Sequence, residues 1–260
     1  MEFVYPADML KPRLPDEMFR EEANALKENG HLISLLDPGA FSIKAVSPSI
    51  ERGTKVIYRG WMVKPAEYQA LLRSIEQLGA VAYTSLNLYL STHYLPNWYP
   101  LLADLTPETV ILDPAADLVS VLKQLGWPRF FIKDYVKSLK TAGGSLIERP
   151  EDIGRVVAEM QKYRGEIEGG LCVRRYEDFV PNSEVRFFVI GGVCYASETQ
   201  TAIPTVVQEA ASRLSSPFFS VDMAVRTDET ARIVEVGDGQ VSDLVGWTAD
   251  RFASLWDNVA

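Results

Sequence analysis

Phe218-Phe-Ser-Val-Asp-Met-Ala-Val225 and Ala231-Arg-Ile-Val-Glu-Val236, joined through Thr227-Asp-Glu-Thr230, are the segments whose reading decides the fold. Both arms alternate with the period of a half-buried strand and the polar link reads as a turn, so a β-hairpin is expected. With the turn centred between Asp228 and Glu229, Asp222 lies directly opposite Glu235. Val221, Met223, Val225, Val234 and Val236 make a core face, while the two acids share theirs with Ser220 and Ala224, which leaves space above them. Like charges facing each other across a sheet repel, so the pair calls for a cation between them. Two hard oxygen donors with room for water and phosphate oxygens are what magnesium receives in nucleotide-using enzymes. The competing reading is a solvated acidic hairpin surface.

Upstream, Arg129-Phe-Phe-Ile-Lys-Asp134 reads as a buried strand, and a lysine among such neighbours needs an anionic partner. Seven residues after Lys133 comes Lys140-Thr-Ala-Gly-Gly-Ser145, whose small residues let backbone N–H groups approach phosphates closely. Neither the phosphate loop of nucleoside triphosphatases nor the dinucleotide-binding fingerprint is present. In Glu184-Val-Arg-Phe-Phe-Val-Ile190, Arg186 emerges from a strongly apolar strand and is suited to bidentate binding of phosphate or carboxylate. A surface ladder of Glu184 with Arg186 is the alternative.

The bulk composition narrows the class. A chain of 260 residues with 47% hydrophobic residues can bury one large core or two smaller ones. Its net charge of -9 disfavours general binding to nucleic acid. Locally the sign reverses: four cations and one acid lie between Arg129 and Lys140, against four cations and ten acids over 187–260, which points to a small anionic ligand. The two cysteines, Cys172 and Cys194, sit in apolar strand-like runs and are expected to be packed, reduced thiols. No basic leader opens the chain and no stretch reaches the roughly 18 apolar residues of a membrane span, so a soluble, cytoplasmic protein is expected.

Along the chain, strands are expected at 2–5, 32–36, 55–59 and 80–84, with helices at 15–29 and from Pro65, the pattern of a small α/β layer domain. Tyr94-Leu-Pro-Asn-Trp-Tyr-Pro100 reads as an irregular crossing. Helices at 114–126, 150–164, 205–214 and 248–258 follow, interleaved with strands at 129–134, 171–173, 185–190 and 193–197, the last two joined at Gly191-Gly192.

Taken in this order, the lysine strand, the glycine loop, the Arg174-Arg-Tyr-Glu-Asp-Phe179 strand, the Glu184-x-Arg186 strand and the acidic hairpin resemble an ATP-grasp domain over about residues 105–247. The resemblance implies an α/β (α+β) chain with a small α/β domain over 1–104 and the ATP-grasp domain over 105–260. It implies ATP and Mg2+ as cofactors and an ATP-dependent ligase that joins a small-molecule or peptide carboxylate to an amine through an acyl phosphate. Lys133 becomes the phosphate lysine, Lys140, Gly143, Gly144 and Ser145 the phosphate loop, and Arg175, Tyr176, Glu177 and Phe179 the adenine hinge. Arg186 becomes the catalytic anion clamp, and Asp222, Glu235 and Asp238 the metal ligands. Two departures stand out. Gly237 occupies the position where the family usually has asparagine, so Asp238 or Gln240 is expected to supply that oxygen. The usual second lysine is missing, with Lys137, Lys140, Arg174 and Arg175 as substitutes. A phosphotransferase on the same fold, or a nucleotide-binding module without turnover, are the alternatives.

Overall fold

The computed structural model describes residues 1–44, 50–136, 144–257 and 259. From the N-terminus come β1 (Glu2–Pro6), α1 (Arg20–Glu28), β2 (Leu32–Asp37), β3 (Ser42–Lys44), β4 (Lys55–Tyr58), α2 (Pro65–Gln77) and β5 (Val81–Ala82). Then follow α3 (Leu86–His93), α4 (Leu95–Leu102), β6 (Thr109–Leu112), α5 (Leu118–Leu125), β7 (Phe130–Asp134), β8 (Leu146–Ile147) and α6 (Ile153–Arg164). The chain closes with β9 (Leu171–Arg175), β10 (Val185–Ile190), β11 (Val193–Tyr195), α7 (Thr205–Arg213), β12 (Phe218–Val225), β13 (Ala231–Asp238) and α8 (Ala249–Ser254).

Local signals account for most of these limits. Asp117 caps α5 by accepting from Ser120 N at 3.2 Å, and Gly126 ends it with φ 63, a conformation glycine adopts without a Cβ clash. The stretch expected to be an irregular crossing is instead helix α4. Its Pro96 stands in the first turn, where a missing N–H leaves no intrahelical bond unmade.

By compactness the chain forms two units, and neither is continuous. One comprises Met1–Thr92, Val185–Val221 and Gly237–Ala260; the other comprises His93–Glu184 and Asp222–Val236. The boundary read from the family pattern, between residues 104 and 105, divides the chain by a different criterion.

The first unit contains the sheet β3-β2-β1-β4-β5, in which β1 runs parallel to β2 and β4, and β4 parallel to β5. Its core joins residues far apart in sequence: Phe3, Tyr5, Leu26, Phe188, Phe218, Phe252 and Trp256 are buried in one cluster. Phe218 meets Trp256 edge to face at 4.9 Å between ring centroids. Also inside this unit, the Arg59 guanidinium pairs with Glu22 at 2.6 Å, and both side chains are almost wholly buried. The second unit holds the sheet β6-β9-β7-β8, antiparallel at every pairing, with Phe130, Ile132, Leu171 and Val173 packed against Ile153, Val156 and Met160. A third sheet has the order β11-β10-β12-β13. Among the described residues no helix is long and apolar enough to cross a membrane.

Candidate functional site

Alternation along β7 sends Phe130 and Ile132 into the core of the second unit and leaves Phe131 and Lys133 on the opposite face. Cross-strand partners share a face, so the pairs Phe131↔Arg174 and Lys133↔Cys172 place two cations, Lys133 and Arg174, on one side of β7 and β9. Lys133 is 3% exposed, and its Nζ lies 3.2 Å from Oε1 of Glu235, whose side chain is 40% exposed. Burial pushes the Cys172 thiol up to about 12, so it stays neutral beside these cations, a packed thiol as expected.

The other cation, Arg174, is buried as well. Desolvation lowers its guanidinium to about 10, which leaves it charged at neutral pH. Its Nη1 donates to Val234 O at 2.6 Å and its Nη2 to Thr106 Oγ1 at 2.5 Å. Sequence reasoning gave Arg174 only a place among four substitutes for a missing lysine. The available signal was the partner rule: on a strand antiparallel to β7, the residue opposite Phe131 must share the face of Lys133.

The phosphate loop is described only in part. Lys140 and Gly143, like Lys137, lie outside the described residues. Gly144 adopts φ 58, and Ser145 O accepts from Ile132 N at 2.8 Å, so the end of the loop is fixed to β7 one residue before Lys133. At the hinge, Tyr176 N donates to Arg129 O at 3.1 Å, and the Arg129 guanidinium covers the Tyr176 ring at 4.1 Å. Arg129 also binds both oxygens of Asp178, at 2.7 and 2.8 Å. Glu177 accepts from Nε and Nη2 of Arg232 on β13, both at 3.1 Å, and Phe179 forms a bridge with Arg226. Arg175 instead points to exposed Glu108 at 3.6 Å.

The acidic hairpin forms over the expected residues, but its turn does not. Arg226 N donates to Thr230 O at 2.9 Å, Glu229 N donates to Arg226 O at 2.9 Å, and Glu229 has φ 70. The loop is therefore the three residues Thr227 to Glu229, and Arg226 pairs with Thr230 rather than Ala231. The core face also differs from strict alternation. Ile233 and Val236 are buried on β13, whereas Val234 is partly exposed. Asp222 is 4% exposed. No group of three or more acidic, histidine or cysteine side chains among the described residues has the geometry to hold a metal ion, so a metal on Asp222 and Glu235 takes its other ligands from outside the protein.

Arg186, Gly237, Asp238 and Gln240 belong to the first unit. Arg186 donates through Nη1 to Asp243 O at 2.8 Å, and its own carbonyl accepts from Trp247 Nε1 at 3.0 Å. Asp238 and Gln240 are turned into the unit's interior. Asp238 Oδ1 accepts from Gln240 N and Nε2, each at 3.0 Å, and its Oδ2 accepts from Thr92 at 3.3 Å. Gln240 Oε1 accepts from Tyr58 N at 3.2 Å. Neither group is therefore carried into the proposed metal site.

Burial pushes the Asp238 carboxyl from its usual 3.8 up to about 7, although the bonds from Gln240 and Thr92 pull the other way. A carboxyl raised in the folded state stabilises most below its unfolded value, and that contribution is lost as pH rises toward the folded value. Asp238→Asn removes this titration and keeps the shape. Its melting temperature is expected to gain on wild type between about pH 4 and pH 7; parallel profiles would contradict this.

Gly237 has a steric cause. A Cβ there would stand 2.8 Å from Ser242 Oγ and 3.1 Å from Ser220 Oγ, and the two hydroxyls hydrogen-bond each other at 2.8 Å. The serine pair fills the space that an asparagine would need. Gly237→Asn is expected to cost about 1–3 kcal/mol by overpacking. An unshifted melt would show that the pair yields freely.

Residues 121–259 match a family described as an ATP-grasp domain, family 3 of its clade. No curated protein matches the chain. Among solved structures, D-cycloserine synthetase DcsG is similar at a TM-score of 0.65 and 14% identity, with 99% of each chain covered. The D-alanine–D-alanine ligase from Coxiella burnetii reaches 0.65 at 13%, covering 100% of this chain and 95% of its own. Macrocyclase MdnC from Microcystis aeruginosa MRC, bound with precursor peptide MdnA, reaches 0.61 at 12%, covering 98% and 99%. At such identities these likenesses speak for the fold, while the family match spans more than half of the chain: the protein belongs to this ATP-grasp domain family.

Proposed function

We propose that the protein is an ATP- and magnesium-dependent ligase that joins a carboxylate to an amine, with 105–260 as its catalytic domain and 1–104 as a preceding α/β domain. The observation that carries this reading is the ion pair of buried Lys133 with Glu235 at 3.2 Å. Each group is the counterion that Mg·ATP would replace: phosphate oxygens for Lys133, magnesium for Glu235. The donor set suits that ion, since two hairpin carboxylates leave most of its coordination to phosphate and water. When bound, magnesium neutralises phosphate charge.

The residues divide the work by position. Lys133 and the backbone at Gly144 and Ser145 bind phosphate oxygens, and Tyr176 to Phe179 border the base. Arg186 orients the transferred group. A carboxylate oxygen of the acid attacks the γ-phosphorus, ADP departs, and an acyl phosphate forms. The amine nitrogen then attacks the acyl carbon, phosphate leaves, and the nitrogen loses a proton to give the amide. Ligases of this fold that act on small molecules or bind a precursor peptide support both kinds of acid substrate.

ATP consumption with pooled carboxylic acids, pooled amines, both or neither tests the reading. ADP and phosphate should appear only when both pools are present. A phosphorylated acceptor without amine would assign a phosphotransferase, and nucleotide binding without turnover an inactive module; either overturns the ligase.

A further inference from the structure

The two ends of the acidic hairpin imply different registers. Counting inward from the Arg226–Thr230 pair at the turn, Asp222 falls opposite Val234. Counting from the other end, where the Cα of Gly237 faces the Ser220 hydroxyl, Asp222 falls opposite Glu235. The counts differ by one residue, so β13 carries one more residue than β12 between these points. A regular β13 would turn Asp222 and Glu235 to opposite faces, because a slip of one residue inverts every side chain.

Three observations place the extra residue near Ile233 and Val234. Burial changes parity there, with Ile233 and Val236 both buried. Thr106 Oγ1 donates to Ile233 O at 2.7 Å, while Arg174 Nη1 donates to Val234 O at 2.6 Å. Arg174 Nη2 also reaches Thr106 Oγ1 at 2.5 Å, so one buried cluster takes both carbonyls. A regular strand points successive carbonyls to opposite edges, so taking both from one side requires a bulge. Ile233 N donates to Leu105 O at 2.9 Å, and Arg232 Nη1 to Asp104 O at 2.7 Å, which fasten the same stretch.

We propose that Thr106 and Arg174 are positioning residues that clasp a β-bulge at Ile233–Val234, and that this bulge brings Glu235 onto the face of Asp222 and Lys133. The clasp acts on the peptide carbonyls preceding Glu235, not on the nucleotide. This rests on the proposed metal role of the two acids, although the bulge itself can be tested without it.

The test uses Thr106→Val, Thr106→Ser and Arg174→Lys. The first readout is the coupling between Lys133 and Glu235 in a double-mutant cycle of melting temperatures, with Lys133→Met and Glu235→Gln. This coupling is expected to vanish in Thr106→Val and Arg174→Lys and to return in Thr106→Ser. The second is binding of Mn2+ with a non-hydrolysable ATP analogue, followed by electron paramagnetic resonance. Metal affinity should fall at least tenfold in Thr106→Val and Arg174→Lys, with metal-free analogue affinity unchanged. Intact coupling and unchanged metal affinity would overturn the clasp. A loss of metal-free analogue affinity in Arg174→Lys alone would assign Arg174 to direct nucleotide contact and overturn it too. If wild type binds no metal with the analogue, the functional reading fails, and the coupling still decides the bulge. Should Arg174→Lys fail to fold, the Thr106→Val and Thr106→Ser comparison decides alone.

Discussion

Glu235→Gln is expected to lower magnesium-dependent turnover by about 100- to 1000-fold, the usual scale for removing one charge-stabilising group at a reacting centre. It should also lower the stability of the ligand-free protein. Cross-strand repulsion between Asp222 and Glu235 taken alone implies the reverse, since an amide relieves it. The structure supplies the opposing effect: Lys133 is buried, and Glu235 is its counterion at 3.2 Å. Removing the carboxylate leaves a desolvated ammonium without an ionic partner. Because Glu235 is 40% exposed, solvent screening holds the loss to about 1 kcal/mol. Adding Lys133→Met to Glu235→Gln should restore much of that stability without restoring activity. Thermal melts of the two single variants and the double variant check it; equal melting temperatures for wild type and Glu235→Gln would remove the ion pair from the account.

Arg186→Met is expected to cost a similar 100- to 1000-fold in turnover while leaving nucleotide affinity nearly unchanged. The argument is one of timing. A clamp on the transferred group acts when charge develops, whereas Lys133 meets phosphate in the ground state. Stability should change little, since the bond from Nη1 to Asp243 O lies at an exposed position and such a bond contributes about 1 kcal/mol at most. Steady-state kinetics beside a calorimetric titration separate the two effects. Near-normal turnover would return Arg186 to the role of a surface residue.

Much of the architecture was legible because it rests on local signals. The apolar run of β10, the alternation of β12 and the proline-opened helix α2 lie where their residues place them. The order of these pieces was enough for the ATP-grasp resemblance, which the family match bears out. What stayed hidden depends on contacts across long stretches of chain. Nothing around Gly237 announces that Ser220 and Ser242 fill its side-chain space. The symmetric turn read between Asp228 and Glu229 is replaced by a three-residue loop, and the register at the acids depends on hydrogen bonds from Thr106 and Arg174, more than 50 residues away. Alternation marks faces, but it does not report side chains that hold another strand's carbonyls.

The central claim is that Asp222, Glu235 and Lys133 form a magnesium–nucleotide site. Calorimetric titration of a non-hydrolysable ATP analogue into wild type and Asp222→Asn, with and without magnesium, tests it most directly. The account expects saturable binding to wild type that tightens at least tenfold with magnesium, and loss of that gain in Asp222→Asn. Binding indifferent to magnesium, or an equal magnesium gain in both proteins, would contradict it.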